Sequence, residues 1–88
     1  MATMYPLQIL AMDRVVFEAD IESLQAPGSQ GGLGVLAHHA PLITELLPGA
    51  LTVRLGPDTV RSFRITGGLL EVGGNRATVL ADGKVTEA

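Results

Sequence analysis

The sequence predicts an all-β protein, because turn signals recur at short spacing and no helical pattern interrupts them. Pairs such as Pro48-Gly49, Gly67-Gly68 and Asp82-Gly83 punctuate the chain, and the runs between them are rich in Val, Ile, Leu and Thr. Eleven glycines supply backbone freedom for tight turns between strands. No window longer than about ten residues combines a helical period with freedom from Gly and Pro. About nine or ten short strands would form a compact sandwich around a shared apolar interior.

Two runs near the amino terminus are predicted to be strands. The first is LQILA, residues 7–11, and the second is VVFEADIESLQA, residues 15–26. Successive side chains of a strand point to opposite sides of the sheet. We therefore expect four side chains of the second run to share one face: Phe17, Ala19, Ile21 and Ser23.

Three later runs also show strand character. LTVRL places Leu51, Val53 and Leu55 on one face, and ATVLAD places Val79 opposite its neighbours. VRSFRIT, residues 60–66, matches only in part, so we expect one of its faces to be buried over half its length. One helical turn and a strand are both possible for APLITELL, residues 40–47. Its β-branched residues Ile43 and Thr44 favour the strand.

The composition is typical of a small domain that buries part of its surface against a partner. The 88 residues are enough for one domain, residues 1–88, and the absence of cysteine excludes disulfides and thiolate-zinc scaffolds. Hydrophobic residues make up 47% of the chain and charged residues only 17%. The net charge of -3, with scattered Lys and Arg, argues against nucleic-acid binding.

Neither a membrane span nor a signal peptide is predicted. No run reaches the ~18 apolar residues of a spanning segment, so we expect no direct membrane insertion. The start of the chain lacks a basic leader before an apolar stretch. The protein is therefore expected to stay in the compartment where it is made, which in a bacterium is the cytoplasm.

The adjacent pair His38-His39 raises the question of a metal site. Neighbouring residues on a strand point to opposite faces, so one ion cannot readily take both rings. The chain has no other histidine and no cysteine to complete a ligand set. We therefore expect no metal ligand, and favour one histidine in a turn and one at a surface or interface.

The sequence also gives little support for a catalytic, phosphate-binding or calcium-binding site. No serine lies in a G-x-S-x-G elbow, and the run GSQGGLG, residues 28–34, lacks the Lys-Ser/Thr ending of a phosphate loop. Glu18, Asp20 and Glu22 alternate along one strand face, which favours a solvated surface over calcium ligation. We expect no catalytic residue, no cofactor and no small-molecule substrate. The residues alone thus favour a binding or structural subunit.

Five ordered elements run through most of the chain. They are Gly28–Gly34, His39–Thr44, Pro48-Gly49, Gly67–Val72 and Ala77–Asp82. In this order and spacing they resemble the amino-terminal domain of the epsilon subunit of F-type ATP synthases, called delta in mitochondria. The opening YPLQILAMDRVVFEADIESLQAPG also resembles the first strands of that family, so the resemblance covers nearly the whole chain.

The resemblance implies a flattened ten-stranded β-sandwich in the central stalk of a synthase. It implies a non-catalytic subunit that contacts the gamma subunit, lies on the rotating c-ring and couples the two during ion-driven ATP synthesis. Its place would be peripheral, at the cytoplasmic face of the inner (plasma) membrane. By the same resemblance, two segments face the ring or the foot of gamma, and the expected partner-binding residues are Ser29, Gln30, Gly31, Gly32, His39, Ala40, Pro41 and Leu42.

The same resemblance also accounts for the histidine pair. His39 falls at the position of the family's histidine and is expected at the interface, while His38 takes a variable position. Pro41 and Pro48 stiffen this corner, which lowers the ordering cost of docking. We expect the side chains of His39, Pro41 and Leu42 to lie at the surface until the stalk assembles.

The sequence departs from the family at two places. Gly32 stands where many relatives have an acidic residue, so a polar contact to the ring loops is expected to be missing. The sequence ends at Ala88, before the helical hairpin with which relatives inhibit ATP hydrolysis. Its polar ending favours a naturally short subunit, which would couple the rotor without inserting such a helix.

Two other classes of protein remain as alternatives. A small enzyme on a β-sandwich would need a polar pocket that the sequence does not supply. A generic all-β interaction module without a synthase role would share the composition. A stable complex with gamma would distinguish the synthase subunit from both.

Overall fold

The computed structural model describes residues 3–88, and strands account for most of them. No helix occurs in this part of the chain, so the prediction of an all-β fold is confirmed. The ten strands are β1 Tyr5–Ala11, β2 Arg14–Ile21, β3 Ser23–Gly28, β4 Gly31–Leu36, β5 Leu42–Leu46, β6 Gly49–Gly56, β7 Thr59–Ile65, β8 Gly68–Gly73, β9 Arg76–Ala81 and β10 Thr86–Glu87.

The strands form one continuous sheet that curls on itself into a sandwich. Their order is β10-β7-β6-β3-β5-β8-β9-β1-β2, with β4 paired to β3. The sheet turns where β3 meets β5, through a single residue pair between Gly28 and Leu46. Two halves result: β10, β7, β6, β3 and β4 form the first, and β5, β8, β9, β1 and β2 form the second. The rings of Phe17 in β2 and Phe63 in β7 lie 5.2 Å apart between their centroids, across the interior.

The core lies between the two halves, and alternate side chains along most of the strands point into it. Burying each large apolar side chain contributes roughly 1.5–3 kcal/mol to stability, which is the main driving force for a domain of this size. Both halves contribute, and within the described residues no charged side chain is buried. The largest fully buried side chains are Tyr5, Phe63, Leu7, Ile9, Ile21, Leu24, Leu51, Ile65, Leu70, Val35, Val53 and Val79.

Arg61 covers the aromatic pair where the sandwich opens to solvent. Its guanidinium lies 4.8 Å from the ring centroid of Phe17 and 5.5 Å from that of Phe63. The same guanidinium donates two hydrogen bonds of 2.7 Å to the Glu87 carboxylate on β10. These bonds lower the pKa of the Glu87 carboxyl and raise the pKa of Arg61. The pair thereby links the short edge strand β10 to β7.

Most of the predicted strands and their buried faces are confirmed. Leu51 and Val53 are buried in β6, and Val79 is buried in β9. In β7 only the second half of one face is fully buried, at Phe63 and Ile65, as the partial alternation predicted. The ambiguous run at residues 40–47 forms the strand β5 rather than a helical turn.

One strand prediction is wrong in detail. Residues 15–26 are not one alternating strand, because the chain bends at Glu22 between β2 and β3. Ile21 and Leu24 are both buried, so the inward phase jumps by three positions and Ser23 lies on the outer face. The jump is needed because β2 belongs to one half of the sandwich and β3 to the other. The backbone N–H of Glu22 donates to the Arg54 carbonyl at 2.8 Å and anchors the crossing.

The glycine-rich stretch at residues 28–34 is a hairpin rather than a phosphate loop. Gly28 pairs with Gly31, so Ser29 and Gln30 form the two-residue turn between β3 and β4. A Cβ on Gly28 would lie 2.8 Å from the backbone carbonyl oxygen of Gly31 and would overlap the side chain of Leu33, so a residue without a side chain is favoured there.

Candidate partner-binding surface

The structure brings most of the predicted partner-binding residues to one surface groove. Gln30, Gly31, Gly32, His39 and Leu42 line a shallow groove of about 320 Å³ together with Gly28, Leu33 and Thr44. The remaining three predicted residues do not line it. Ser29 is half-buried, and its N–H donates to the Glu45 carbonyl at 2.9 Å; Ala40 and Pro41 are exposed beside the groove.

The two histidines lie in a turn after β4, not on a strand. They therefore do not point to opposite faces of a strand, as the prediction assumed. His38 is exposed with a φ of 63°, and His39 is half-buried. The Nδ1–H of His39 donates to the carbonyl of Ala40 at 2.7 Å. Within residues 3–88, no group of three or more His, Cys, Asp or Glu side chains is close enough to share a metal ion.

The corner is only partly as exposed as predicted. Pro41 is exposed, but Leu42 is half-buried and packs against the core. In β5 the inward positions are Leu42, Thr44 and Leu46, so the side chain that faces outward is Ile43, with 70% of its surface exposed. Ile43 was missed in the sequence because the phase of this short strand cannot be derived from five residues.

Four apolar side chains form a continuous row on the outer face of the second half. Leu69 in β8 pairs with Leu80 in β9, Leu80 pairs with Leu10 in β1, and Leu10 pairs with Val15 in β2. Leu69, Leu80 and Val15 are each 44–50% exposed. We call these four side chains the apolar row. Large exposed apolar surfaces on a small domain mark interaction sites.

A β-bulge completes the apolar row. Ile9 pairs with Phe17, but Leu10 pairs with Val15, so Val16 is left as an extra residue in β2. Without the bulge, Val16 rather than Val15 would stand opposite Leu10. The row was missed in the sequence because its members come from four strands and one of them depends on this irregularity.

Polar side chains border the apolar row. Glu45 stands opposite Leu69 at one end. A second shallow depression, of about 690 Å³, lies beside the row and is lined by Pro41, Ile43, Glu71 and Arg76, among others. This face therefore combines apolar surface with charges of both signs, as the core and rim of a protein interface do.

The glycine pair at 67–68 has a backbone role. Gly67 and Gly68 have φ angles of 135° and 150°, which residues with a Cβ rarely adopt. A Cβ on Gly68 would overlap the carbonyl oxygen of Leu80. The carbonyl of Gly67 accepts a hydrogen bond from the Asp82 backbone N–H at 3.1 Å. This motif builds the β7–β8 corner on which the outer face of β8 depends.

The β-sandwich domain of the ATP synthase delta/epsilon chain matches residues 4–87. This chain belongs to that family. Among its relatives in the delta/epsilon family, the ATP synthase epsilon chain of Protochlamydia amoebophila is 44% identical over 79 residues, 90% of this chain and 54% of that protein. The ATP synthase epsilon chain of Caulobacter vibrioides is 41% identical over 80 residues, 91% of this chain and 92% of that protein.

The delta/epsilon sandwich is also similar to a solved structure. A chain in the cryo-EM structure of the Euglena gracilis mitochondrial ATP synthase OSCP/F1/c-ring assembly matches it with a TM-score of 0.88. The identity is 20%, and the match covers 96% of this chain and 53% of the other, so the likeness supports the fold. This chain spans little more than half the length of several of its relatives. The part of the chain that the structure describes contains no helix that could span a membrane.

Proposed function

We propose that this chain is a non-catalytic central-stalk subunit of an F-type ATP synthase, which couples the gamma subunit to the c-ring. The observation that carries the proposal is the exposed apolar row on a charge-poor domain of the delta/epsilon family. The name ATP synthase epsilon chain, shared by its relatives, supports this role over a generic interaction module. The c-ring assembly that contains its structural neighbour gives further support.

The apolar row and Ile43 form the surface that we assign to gamma. Their outward side chains are apolar, whereas in the first half the outward row formed by Gln25, Thr52 and Ser62 is polar. Removing apolar side chains from water is the dominant favourable contribution in most protein–protein association.

The groove between the β3–β4 hairpin and the turn after β4 is the surface that we assign to the c-ring. It collects Gln30, Gly31, Gly32, His39 and Leu42, which the family resemblance implies as interface residues. Its backbone is held by a two-residue turn and by the His39 hydrogen bonds. Few groups therefore lose conformational freedom when a partner docks.

The proposed role requires no chemistry from this chain. We assign it no catalytic residue, cofactor, metal or small-molecule substrate, and no contact with nucleic acid. Its location would be peripheral, at the cytoplasmic face of the bacterial plasma membrane, where it is held by its partners rather than by membrane insertion.

The proposal is tested with the gamma subunit of the same organism and one matched pair of variants. Leu80→Asp places a charge in the apolar row, and Val60→Asp makes the same change on β7, where the parent side chain is 49% exposed against 44% for Leu80. Leu80→Asp should weaken the complex with gamma by at least about tenfold, because a charge must be desolvated. Val60→Asp should bind like the parent.

Thermal melts of the two variants control for folding, and both should stay close to the parent. If the parent itself forms no complex with gamma or the c-ring, the synthase role is wrong and the generic interaction module replaces it. Equal binding by Leu80→Asp and the parent would instead mean that the apolar row is not the gamma surface.

A further inference from the structure

The turn between β8 and β9 contacts the segment that carries the histidines. Gly73 pairs with Arg76, so Gly74 and Asn75 form a two-residue hairpin turn, with φ angles of 57° and 56°. Asn tolerates this left-handed region better than most residues with a side chain. The turn therefore accepts Asn75 without help from the rest of the fold.

The side chain of Asn75 has a specific partner 37 positions earlier in the chain. The backbone N–H of His38 donates to Asn75 Oδ1 at 2.7 Å. An N–H donor requires the amide oxygen, so the orientation of the Asn75 amide is determined. His38 has a φ of 63°, which is uncommon for a residue with a Cβ. The hydrogen bond thus holds a backbone conformation that His38 alone would not favour.

The segment held by Asn75 continues directly into the groove. The N–H of His39 donates to the Leu36 carbonyl at 3.2 Å, and the His39 ring donates to Ala40. The backbone is thereby closed into a turn that sets the position of His39 and leads to Leu42 at the start of β5. One end of this turn is anchored in β4 and the other in β5, and Asn75 holds the middle.

We propose that Asn75 is a positioning residue of the docking groove. By accepting the His38 N–H, it presets the conformation in which His39 and Leu42 line the groove, so that the partner does not have to order this turn. The inference rests on the proposed function, in which the groove contacts the c-ring. Asn75 itself does not line the groove.

Two variants distinguish the role of the Asn75 side-chain acceptor from that of its turn conformation. Asn75→Gly keeps a residue that favours the left-handed conformation but removes the side-chain oxygen. Asn75→Asp keeps an oxygen acceptor at the same distance along the side chain. In complexes of the full chain with gamma and the c-ring, Asn75→Gly should bind about three- to tenfold more weakly, the value of one hydrogen bond. Asn75→Asp should restore binding to the parent level.

Hydrogen exchange of the free chain supplies a second measurement. The His38 amide should exchange faster in Asn75→Gly and at the parent rate in Asn75→Asp, while the amide of Leu51 in the core stays protected in both. If Asn75→Gly binds as tightly as the parent, the positioning role is wrong while the proposed function stands. If Asn75→Gly loses both core protection and binding, Asn75 is a structural residue rather than a positioning residue. Failure of the parent to bind would overturn the proposed function, and this inference with it.

Discussion

At the scale of single residues, Tyr5 shows how a polar atom is accommodated in the core. Its ring is buried in β1, and its hydroxyl donates to the Val35 carbonyl in β4 at 2.6 Å. This bond joins the two halves of the sandwich. Burial raises the pKa of Tyr5 from 10.0 to about 12, because the phenolate would lose its hydration.

Stability is therefore expected to fall at alkaline pH. The unfolded chain loses the phenolic proton near pH 10, whereas the folded chain keeps it to about pH 12. Between these values the unfolded state binds fewer protons, so the free energy of unfolding decreases as pH rises, by roughly 2–3 kcal/mol in total. The chain has one tyrosine, so tyrosinate absorbance reports this group alone.

Tyr5→Phe is the matched control for this prediction. It should remove the tyrosinate signal and its share of the alkaline loss of stability. At neutral pH it should destabilise the fold by about 1–2 kcal/mol, since the Val35 carbonyl loses its donor. A parent titration midpoint near that of free tyrosine would show that the phenol is not held in the core.

Single residues also show where sequence reasoning stops. His39 could be identified as an interface candidate because it stands in an ordered motif. Asn75 could not, because its partner His38 lies 37 positions away and the contact exists only once β8, β9 and the turn after β4 have met. The Gly67-Gly68 pair was predicted as a turn signal and lies at the corner between β7 and β8, but the overlap with Leu80 that requires glycine at 68 could not be predicted.

At the scale of elements, alternation predicted the strands better than their phase. The burial of Leu51, Val53 and Val79 followed directly from regular alternation. Which side chains face inward could not be predicted across two irregularities. At the bend at Glu22 the chain passes from one half of the sandwich to the other, and at the bulge at Val16 the strand gains an extra residue. Both depend on strand pairing, which local sequence does not contain.

Strand β5 is the element whose phase matters most for function. Leu42 and Ile43 are neighbours, but Leu42 packs partly on the core and Ile43 is 70% exposed. Leu42→Asp should therefore destabilise the free domain by about 2–4 kcal/mol, because a charge enters apolar surroundings. Ile43→Asp should leave the melting temperature nearly unchanged and weaken binding to gamma.

Thermal melts and gamma binding of the two variants distinguish the roles. A parent-like melt for Leu42→Asp would mean that this side chain is not needed for the core, and the orientation of β5 would be wrong. If Ile43→Asp melts and binds like the parent, Ile43 lies outside the gamma surface, and the interface is confined to the apolar row.

At the scale of the whole molecule, the fold class followed from composition and turns, but the interaction surfaces did not. The sandwich was predicted because short apolar runs separated by turns allow little else. The apolar row requires the order β8-β9-β1-β2, in which the first and ninth strands are parallel neighbours. Such a pairing between the two ends of the chain cannot be derived from a local sequence pattern. The curl that brings Gln30 near His39 is likewise a tertiary feature.

The molecule thus presents two surfaces, the apolar row and the groove, and their separate roles can be tested with Gly32. A side chain at Gly32 is sterically tolerated, because a Cβ there would meet only the Ala26 carbonyl, at 4.0 Å. Gly32→Glu introduces the acidic residue that the family resemblance implies at this position. It should strengthen binding to assemblies that contain the c-ring by about three- to tenfold, the value of one polar contact, and leave binding to isolated gamma unchanged.

Leu80→Asp is the complement of Gly32→Glu, because it lies in the apolar row. It should weaken binding to isolated gamma and to the complete stalk alike. Adding Gly32→Glu to this variant should not restore its binding to isolated gamma. Two separate surfaces predict that the effects on ring-containing assemblies add, as they do for distant sites without shared partners. An increase in binding to isolated gamma by Gly32→Glu would mean that the groove faces gamma alone. The proposed path from gamma through this domain to the ring would then lack its last contact.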